Sequence, residues 1–331
     1  MRVIRLHGPN QLKMHNEPNP VPGINEELLK VTAVGVCGSD LHWFKEGGIG
    51  DAVLNHPLVL GHEFSAIRSN GQRVAVDPCV PCGKCRYCLE GNPNLCPYHY
   101  FAGHGEHDGA LREWIAWPSR YLFPIPDNLS DIESAMLEPL GIAIHATDLG
   151  HLKPGLTVGV FGCGPIGQLI IQLARLSGAT QIIATDRLIH RLDFALQSSA
   201  THTYLVQDNE RDAEMWAFTR EEGLDIVFEV AGENSAVETA VALSRPGGQV
   251  VLVGIPSDDR TSFNASVARR KGLTFRTVRR MKHTYPRAIR LVESGLINVR
   301  SLVTHQYSMD SFDQAFSSAL RREGLKTVII P

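Results

Sequence analysis

The sequence predicts an α/β protein with two domains, one rich in β-strands and one built on a parallel sheet. Its 331 residues are enough for about two domains of ordinary size. Before about residue 60, short strand-like runs such as 28–36 are separated by Pro- and Gly-rich segments. From about residue 152, apolar strand-like runs alternate with helical patterns, which is typical of a parallel sheet covered on both faces.

The elements of the parallel-sheet domain follow one another at short intervals. In order, we predict a strand at 157–161, a helix at 166–176, strands at 181–185 and 225–230, a helix at 236–243 and a strand at 249–253. This domain is placed at residues 142–285. Near the C-terminus, a helix at 312–320 and a strand at 325–330 could return to the first domain. That domain would then comprise residues 1–141 and 286–331.

Composition excludes several classes of protein. The 32 basic and 35 acidic residues nearly balance, which argues against a general nucleic-acid or anionic-membrane surface. The first residues lack the apolar core of a signal peptide, and the longest apolar stretch, 158–174, is interrupted by Gln168, Gln172 and four glycines. We therefore expect a soluble cytoplasmic protein.

A glycine-rich turn predicts dinucleotide binding. Gly162, Gly164 and Gly167 form a G-x-G-x-x-G pattern directly after a strand and before a helix, where free N–H groups favour a diphosphate. Asp186 ends the next strand, 19 residues after Gly167, where its carboxylate can accept hydrogen bonds from ribose hydroxyls. That carboxylate would repel a 2′-phosphate, so NAD is preferred over NADP, although Arg187 and Arg191 weaken the preference. The predicted cofactor-binding residues also include Pro165, Ile166, Arg191, Val253 and Gly254.

Five of the seven cysteines lie between residues 79 and 96, which favours a metal site over disulfides. Four of them have the spacing C-x2-C-x2-C-x7-C, and four thiolates complete tetrahedral zinc, so this would be a structural site. They are Cys82, Cys85, Cys88 and Cys96. Cys79 could replace one of them. An iron–sulfur cluster is one alternative, but its fourth cysteine usually follows after three residues and here follows after seven. A nucleic-acid-binding zinc ribbon is another alternative, but this segment carries few basic residues. Both observations favour structural zinc.

A second set of potential ligands is spread along the chain. Cys37 lies in Cys-Gly-Ser-Asp-Leu-His, His62 and Glu63 lie in Gly-His-Glu, and Glu138 precedes a proline. Together they supply a thiolate, an imidazole and carboxylates, a mixture that suits zinc. Three protein ligands would leave a fourth position for water or substrate, as a catalytic zinc requires.

These motifs, together with Asp108-Gly109-Ala110 and the glycine turn, resemble the zinc-dependent medium-chain dehydrogenases over nearly the whole chain. The similarity is greatest to the polyol branch, which includes sorbitol (L-iditol), xylitol and L-idonate 5-dehydrogenases. The resemblance implies a GroES-like β-rich catalytic domain, a Rossmann doubly wound parallel-sheet domain, two zinc ions per chain and a homo-oligomer, either dimer or tetramer. The expected reaction is NAD-dependent oxidation of a secondary hydroxyl in a polyol, sugar alcohol or sugar acid to a ketone.

The resemblance also assigns roles to individual residues. Cys37 and His62 would bind the catalytic zinc, Glu63 would bind it or support it, and Glu138 would contact it directly or through water. Ser39 and His42 would carry the substrate proton away. The substrate-pocket positions are Trp43, Phe101, His104 and Arg280.

The chain departs from the family pattern in one hairpin, and two other functions are alternatives. Only seven residues separate Glu63 from Gly71, which predicts a hairpin shorter than in the relatives. L-threonine 3-dehydrogenase, or another zinc alcohol dehydrogenase, could carry the same metal ligands. A zinc-stabilised nucleotide-binding protein without catalysis is the third hypothesis, which the intact ligand set disfavours.

Overall fold

The computed structural model describes residues 1–207 and 211–331. Its strands are β1 (Arg2–Leu6), β2 (Leu12–Asn16), β3 (Glu26–Gly35), β4 (Gly48–Ile49), β5 (Ala52–Val53), β6 (Glu63–Arg68), β7 (Arg73–Val76), β8 (Cys79–Val80), β9 (Tyr100–Phe101), β10 (Trp114–Pro118), β11 (Leu122–Pro124), β12 (Thr157–Phe161), β13 (Gln181–Asp186), β14 (His202–Leu205), β15 (Leu224–Glu229), β16 (Ser244–Leu252), β17 (Thr274–Thr277), β18 (Val303–Ser308) and β19 (Lys326–Ile330). Its helices are α1 (Gly38–Glu46), α2 (Arg86–Leu89), α3 (Asp131–Ala135), α4 (Leu137–Gly150), α5 (Pro165–Leu176), α6 (Ile189–Gln197), α7 (Arg211–Phe218), α8 (Asn234–Leu243), α9 (Ala265–Lys271), α10 (Tyr285–Glu293) and α11 (Phe312–Arg321).

The chain divides into two compact units. The first unit comprises Met1–Gly141 and Lys282–Pro331, and the second comprises Ile142–Met281. The parallel-sheet unit is therefore inserted into the β-rich one. Its first boundary coincides with the predicted residue 142, whereas its second boundary lies at 281 instead of the predicted 285.

Two hydrogen bonds explain the second boundary. The Lys282 ammonium donates to Asn92 Oδ1 at 2.6 Å, and the buried Tyr285 hydroxyl donates to the Val76 carbonyl at 2.6 Å. The Tyr285 ring also stacks on Phe123, with ring centroids 4.7 Å apart. Residues 282–285 thus pack within the first unit.

A seven-stranded sheet forms the centre of the first unit. The strands follow the order β11-β7-β6-β3-β19-β18, and β10 also pairs with β3. In β3, buried Leu29, Val31 and Ala33 alternate with more exposed residues, as expected for a strand with one face on a core. The C-terminal strand β19 pairs antiparallel with β3, so both ends of the chain contribute to this unit.

The short segment after Glu63 forms a tight hairpin between β6 and β7. The Gly71 N–H donates to the Arg68 carbonyl at 2.9 Å, and Gly71 has a φ of 84°, a conformation that glycine adopts without strain. The hairpin is therefore closed by a local turn, and β6 keeps its pairing with β3.

The second unit is built on a six-stranded parallel sheet with the order β14-β13-β12-β15-β16-β17. Numbered from β12, this is the order 3-2-1-4-5-6 of the Rossmann fold. Strand β13 is buried almost throughout, as expected for a strand covered on both faces. The two units confirm the predicted fold class of a β-rich domain and a doubly wound parallel sheet.

Candidate metal centres and cofactor site

Cys37, His62 and Glu63 come together in the first unit. Cys37 follows β3 and precedes α1. His62 directly precedes β6, and Glu63 begins this strand and pairs with Gly35 of β3. One potential ligand atom from each of the three residues lies within 4.8 Å of the others. His62 and Glu63 are buried, and Cys37 is partly exposed. The donor set of thiolate, imidazole and carboxylate fits zinc.

Asp40, which had no predicted role, contacts both Cys37 and His62. Its carboxylate accepts hydrogen bonds from the N–H groups of Cys37 at 2.9 Å and Gly61 at 3.2 Å. The same carboxylate lies 3.4 Å from His62 Nδ1. A carboxylate behind a histidine fixes the ring and its tautomer in many zinc sites. The Asp at the third position after Cys37 was the available signal.

Asp40 and His62 each favour the charged form of the other. Burial alone would lower the pKa of His62, but Asp40 and Cys37 raise it well above its usual value. Burial also opposes ionisation of Asp40, yet its interaction with His62 and its backbone hydrogen bonds lower its pKa. In the absence of a metal, a protonated His62 therefore balances the buried carboxylate.

Glu63 has a second partner that the sequence analysis missed. Lys326, at the start of β19, forms an ion pair with the Glu63 carboxylate, and both side chains are almost fully buried. Burial lowers the pKa of Lys326, but Glu63 and Cys37 raise it by a larger amount. A Cβ at Gly35 would lie only 2.2 Å from Glu63 Oε2, so glycine provides the space for this carboxylate. A lysine beginning an apolar C-terminal strand was the only sequence signal.

Glu138 interacts with the charges of His62 and Glu63 but does not belong to the group formed by Cys37, His62 and Glu63. It is 4% exposed and lies in the first turn of α4. Burial raises the pKa of its carboxyl to about 8, with a further contribution from the charge of Glu63. Of the two glutamates predicted as ligands, the structure thus groups Glu63, and not Glu138, with Cys37 and His62.

The predicted proton-transfer residues lie on α1. Ser39 Oγ is 3.4 Å from His62 Nε2, so Ser39 and Asp40 approach opposite nitrogens of the imidazole. His42 lies one turn further along, with its Nδ1 3.3 Å from Glu46 Oε2. The His42 side chain is 23% exposed.

Three of the predicted pocket residues form a continuous aromatic cluster beside His62. The Phe101 ring lies 5.2 Å from the His62 ring and 6.4 Å from that of His104, which contacts buried Trp43 edge-on at 5.5 Å. Arg280, the fourth predicted residue, belongs to the second unit and has a φ of 54°.

The second metal candidate is the four-cysteine lobe around α2. The sulfurs of Cys82, Cys85, Cys88 and Cys96 lie within 4.8 Å of one another. The Cys85 sulfur is 3.4 Å from Cys88 and 3.7 Å from Cys96, close to the roughly 3.8 Å edge of a tetrahedron with 2.3 Å zinc–sulfur bonds. Cys79 lies outside the group, in β8, paired with Phe101 of β9. The arrangement fits a closed structural zinc site.

The thiols of this lobe differ in acidity before a metal binds. Backbone N–H groups of Lys84 and Cys85 lower the pKa of Cys82 to about 6, despite opposition from burial. Burial and the neighbouring thiols raise the pKa of Cys88 to about 12. Because zinc binds thiolates, its binding must displace protons from this cluster.

The glycine turn of the second unit has the geometry of a phosphate cradle. A Cβ at Gly167 would lie 2.0 Å from the Gly162 carbonyl, so glycine there allows α5 to pack on β12. Gly162 has a φ of 104°, which requires glycine. At Gly164, the N-cap of α5, a Cβ would meet nothing closer than Arg191 Nη1 at 3.6 Å. Gly164 therefore leaves open space at a helix N-terminus, as a diphosphate requires.

Other predicted cofactor residues lie at the carboxyl ends of strands in the same parallel sheet. Asp186 ends β13 and accepts hydrogen bonds from the N–H groups of Cys163 at 2.8 Å and Leu188 at 3.0 Å. Val253 and Gly254 donate to the Glu229 carbonyl at 2.8 and 3.0 Å. Glu229, which the sequence did not single out, is a buried carboxylate at the end of β15 that accepts hydrogen bonds from the N–H groups of Ala231 and Gly232. Its place at the end of an apolar strand was the available signal.

Comparison with known proteins identifies the family. Residues 23–127 match the alcohol dehydrogenase GroES-like domain, and residues 165–294 match the zinc-binding dehydrogenase domain. The chain is 37% identical to sorbitol dehydrogenase of Bacillus subtilis (strain 168), covering all of this chain and 97% of that protein. The chain belongs to the zinc-dependent medium-chain dehydrogenases. This membership confirms the predicted resemblance, with its GroES-like and Rossmann-type domains.

Two further comparisons extend over almost the whole medium-chain dehydrogenase. D-xylulose reductase A of Aspergillus oryzae is 34% identical, over 98% of this chain and 95% of that protein. The crystal structure of L-idonate 5-dehydrogenase from Escherichia coli matches with a TM-score of 0.90 at 28% identity, covering all of this chain and 98% of the other. Zinc and a nicotinamide cofactor are accordingly the groups that the two donor clusters and the glycine turn are suited to hold. Among the helices of residues 1–207 and 211–331, none is long and apolar enough to cross a bilayer.

Proposed function

We propose that this medium-chain dehydrogenase oxidises a secondary hydroxyl of a polyol, sugar alcohol or sugar acid to a ketone, with NAD as hydride acceptor. The observation that carries the proposal is the Cys37, His62 and Glu63 group with Asp40 behind the imidazole. The similarity to sorbitol dehydrogenase, D-xylulose reductase and L-idonate 5-dehydrogenase supports the substrate class.

Cys37, His62 and Glu63 would hold the catalytic zinc, and Glu138 would contact it or its water. When bound, zinc acts as a Lewis acid that lowers the pKa of a substrate hydroxyl. Asp40 holds the His62 ring in position through Nδ1, leaving Nε2 on the side of Ser39. One thiolate and one carboxylate neutralise the charge of a divalent ion.

The proton would leave along α1. Ser39 would accept it from the substrate hydroxyl and release its own hydroxyl proton toward the cofactor ribose, because Ser39 Oγ lies 3.4 Å from His62 Nε2 and so borders the metal ligands. His42 would pass it to solvent, since its partly exposed ring lies one turn further along the helix. Trp43, Phe101 and His104 would line the pocket for the carbon chain of the substrate, and Arg280 would bind its hydroxyl or carboxylate groups.

The remaining groups complete the proposal. The four-cysteine lobe would hold a second, structural zinc, giving two ions per chain. Gly162, Gly164, Pro165, Ile166 and Gly167 would bind the diphosphate, and Asp186 would favour NAD by accepting from the ribose hydroxyls. Val253, Gly254 and Arg191 would complete the cofactor site. By analogy with its family, the protein would work as a homodimer or homotetramer in the cytoplasm.

A substrate panel tests the function. Purified enzyme is incubated with NAD or NADP and with sorbitol, xylitol, L-iditol, L-idonate, L-threonine or ethanol, and reduced cofactor is measured by its absorbance. We expect NADH from at least one polyol or sugar acid and slower reaction with NADP. Faster oxidation of L-threonine would favour L-threonine 3-dehydrogenase, and no NADH from any polyol or sugar acid would overturn the proposal.

A further inference from the structure

Arg187 and Glu233 form an ion pair between the two loops that flank the glycine turn of the second unit. Arg187 directly follows Asp186 at the end of β13, and Glu233 lies in the loop after β15. Arg187 Nη2 is 3.3 Å from Glu233 Oε1. Because β13 and β15 lie on either side of β12, this ion pair links the two loops that flank the turn at Gly162–Gly167.

Arg187 occupies the position from which an arginine can discriminate between the two cofactors. In Rossmann domains, an acidic residue after the second strand binds the ribose of NAD, and an arginine beside it accommodates the 2′-phosphate of NADP. Asp186 and Arg187 place both kinds of residue side by side in this chain. Asp186 alone therefore leaves the choice of cofactor undecided.

We propose that Glu233 is a specificity-determining residue that favours NAD by neutralising Arg187. With Glu233 present, a 2′-phosphate meets two carboxylates, those of Asp186 and Glu233, and one guanidinium. Without the Glu233 charge, Arg187 would balance Asp186 and could pair with the phosphate through parallel N–H donors. This inference rests on the proposed use of a nicotinamide cofactor and names a residue that enforces the choice between its two forms.

The neighbouring groups are consistent with a local charge effect. The Arg187 and Glu233 side chains are 46% and 44% exposed, so the ion pair is accessible to a ligand and only modest in strength. Arg191 Nη1 would lie 3.6 Å from a Cβ at Gly164, so this second guanidinium lies beside the turn that would bind the diphosphate shared by both cofactors. Glu233 is the N-cap of α8 but makes no side-chain cap hydrogen bond, so its replacement by glutamine leaves the helix end intact.

The test measures dissociation constants of NADH and NADPH by cofactor fluorescence in the purified full-length enzyme, without substrate. In Glu233→Gln we expect the NADPH dissociation constant to fall about fivefold, the factor that corresponds to ~1 kcal/mol for an exposed charge pair, while that of NADH changes by less than about twofold. In the double variant Arg187→Gln/Glu233→Gln this gain should be absent. Glu222→Gln removes an exposed carboxylate elsewhere in the same unit and should change neither constant.

The outcomes separate the two proposals. An unchanged NADPH-to-NADH ratio in Glu233→Gln, an equal change in Glu222→Gln, or a gain that persists without Arg187 would overturn the role of Glu233 while leaving cofactor binding intact. If the wild-type enzyme binds neither cofactor, the proposed function fails together with this inference.

Discussion

The Lys326 ammonium pairs with the Glu63 carboxylate inside the first unit, and both side chains are almost completely buried. The pair joins the C-terminal strand β19 to the metal centre at the start of β6. Glu63 therefore has a counter-charge even before a metal binds, and removal of Lys326 would leave a buried carboxylate without its partner.

Lys326→Met should destabilise the zinc-free protein by about 3–5 kcal/mol, the usual cost of removing one member of a buried ion pair. The measurement is urea unfolding of chelator-treated protein. Lys30→Met, which removes an exposed lysine of β3, serves as the control and should change the free energy of unfolding by less than about 0.5 kcal/mol. Equal losses in both variants would show that the buried pair has no special role.

The raised pKa of Glu138 predicts a pH dependence of stability. Between the usual glutamate pKa and about 8, the folded zinc-free protein keeps this carboxyl protonated while the unfolded chain ionises it. The contribution of Glu138 is therefore fully present below the ordinary pKa and is lost as pH rises toward 8. Glu138→Gln should make the zinc-free protein relatively more stable than wild type at pH 8 than at pH 5. Parallel pH profiles of unfolding for the two proteins would contradict this prediction.

The four-cysteine lobe predicts that replacement of Cys85 removes zinc, whereas replacement of Cys79 does not. Cys85→Ser should lower the zinc content by about one ion per chain and destabilise the protein, because three thiolates no longer close the tetrahedral site. Cys79→Ser should retain the metal, since Cys79 lies outside the four-sulfur group. Elemental analysis of the purified variants measures both. Zinc loss in Cys79→Ser with retention in Cys85→Ser would contradict the assigned ligands.

The glycine turn predicts that one alanine substitution lowers stability and another weakens cofactor binding. Gly167→Ala places a Cβ 2.0 Å from the Gly162 carbonyl and should lower the free energy of unfolding by about 1–3 kcal/mol or more. Gly164→Ala meets no close neighbour, so the protein should fold normally but bind NADH about tenfold more weakly, a loss of ~1.4 kcal/mol. Unfolding curves and NADH fluorescence titrations separate the effects. Normal NADH affinity in Gly164→Ala would argue against a diphosphate at this position.

Local sequence patterns predicted the second unit well. The strand at 157–161 and the glycine turn are found as expected, and Asp186 ends β13 beside the turn. These features depend on short segments in which turn chemistry and apolar runs agree. The boundary at 281 was harder to predict from the sequence, because it depends on the hydrogen bonds of Lys282 and Tyr285 to distant residues of the first unit.

The supporting groups of the sites were harder to predict than the ligands. The ligand types singled out Cys37, His62, Glu63 and Glu138, of which the structure groups the first three. The pairing of Lys326 with Glu63, however, joins residues that are far apart in the sequence. Likewise, Arg187 and Glu233 meet only because β13 and β15 flank β12. Sequence spacing contains no information about such long-range pairs until the strand order is known.

The most direct test of the proposed function is the zinc dependence of polyol oxidation. NADH formation from the best polyol or sugar acid is followed for the purified enzyme, for the enzyme depleted of zinc by a chelator, and for the depleted enzyme after zinc is restored. We predict that depletion abolishes NADH formation and that zinc restores it in wild type but not in Cys37→Ser. Undiminished NADH formation by the zinc-depleted enzyme, or full recovery in Cys37→Ser, would contradict a catalytic zinc held by Cys37, His62 and Glu63.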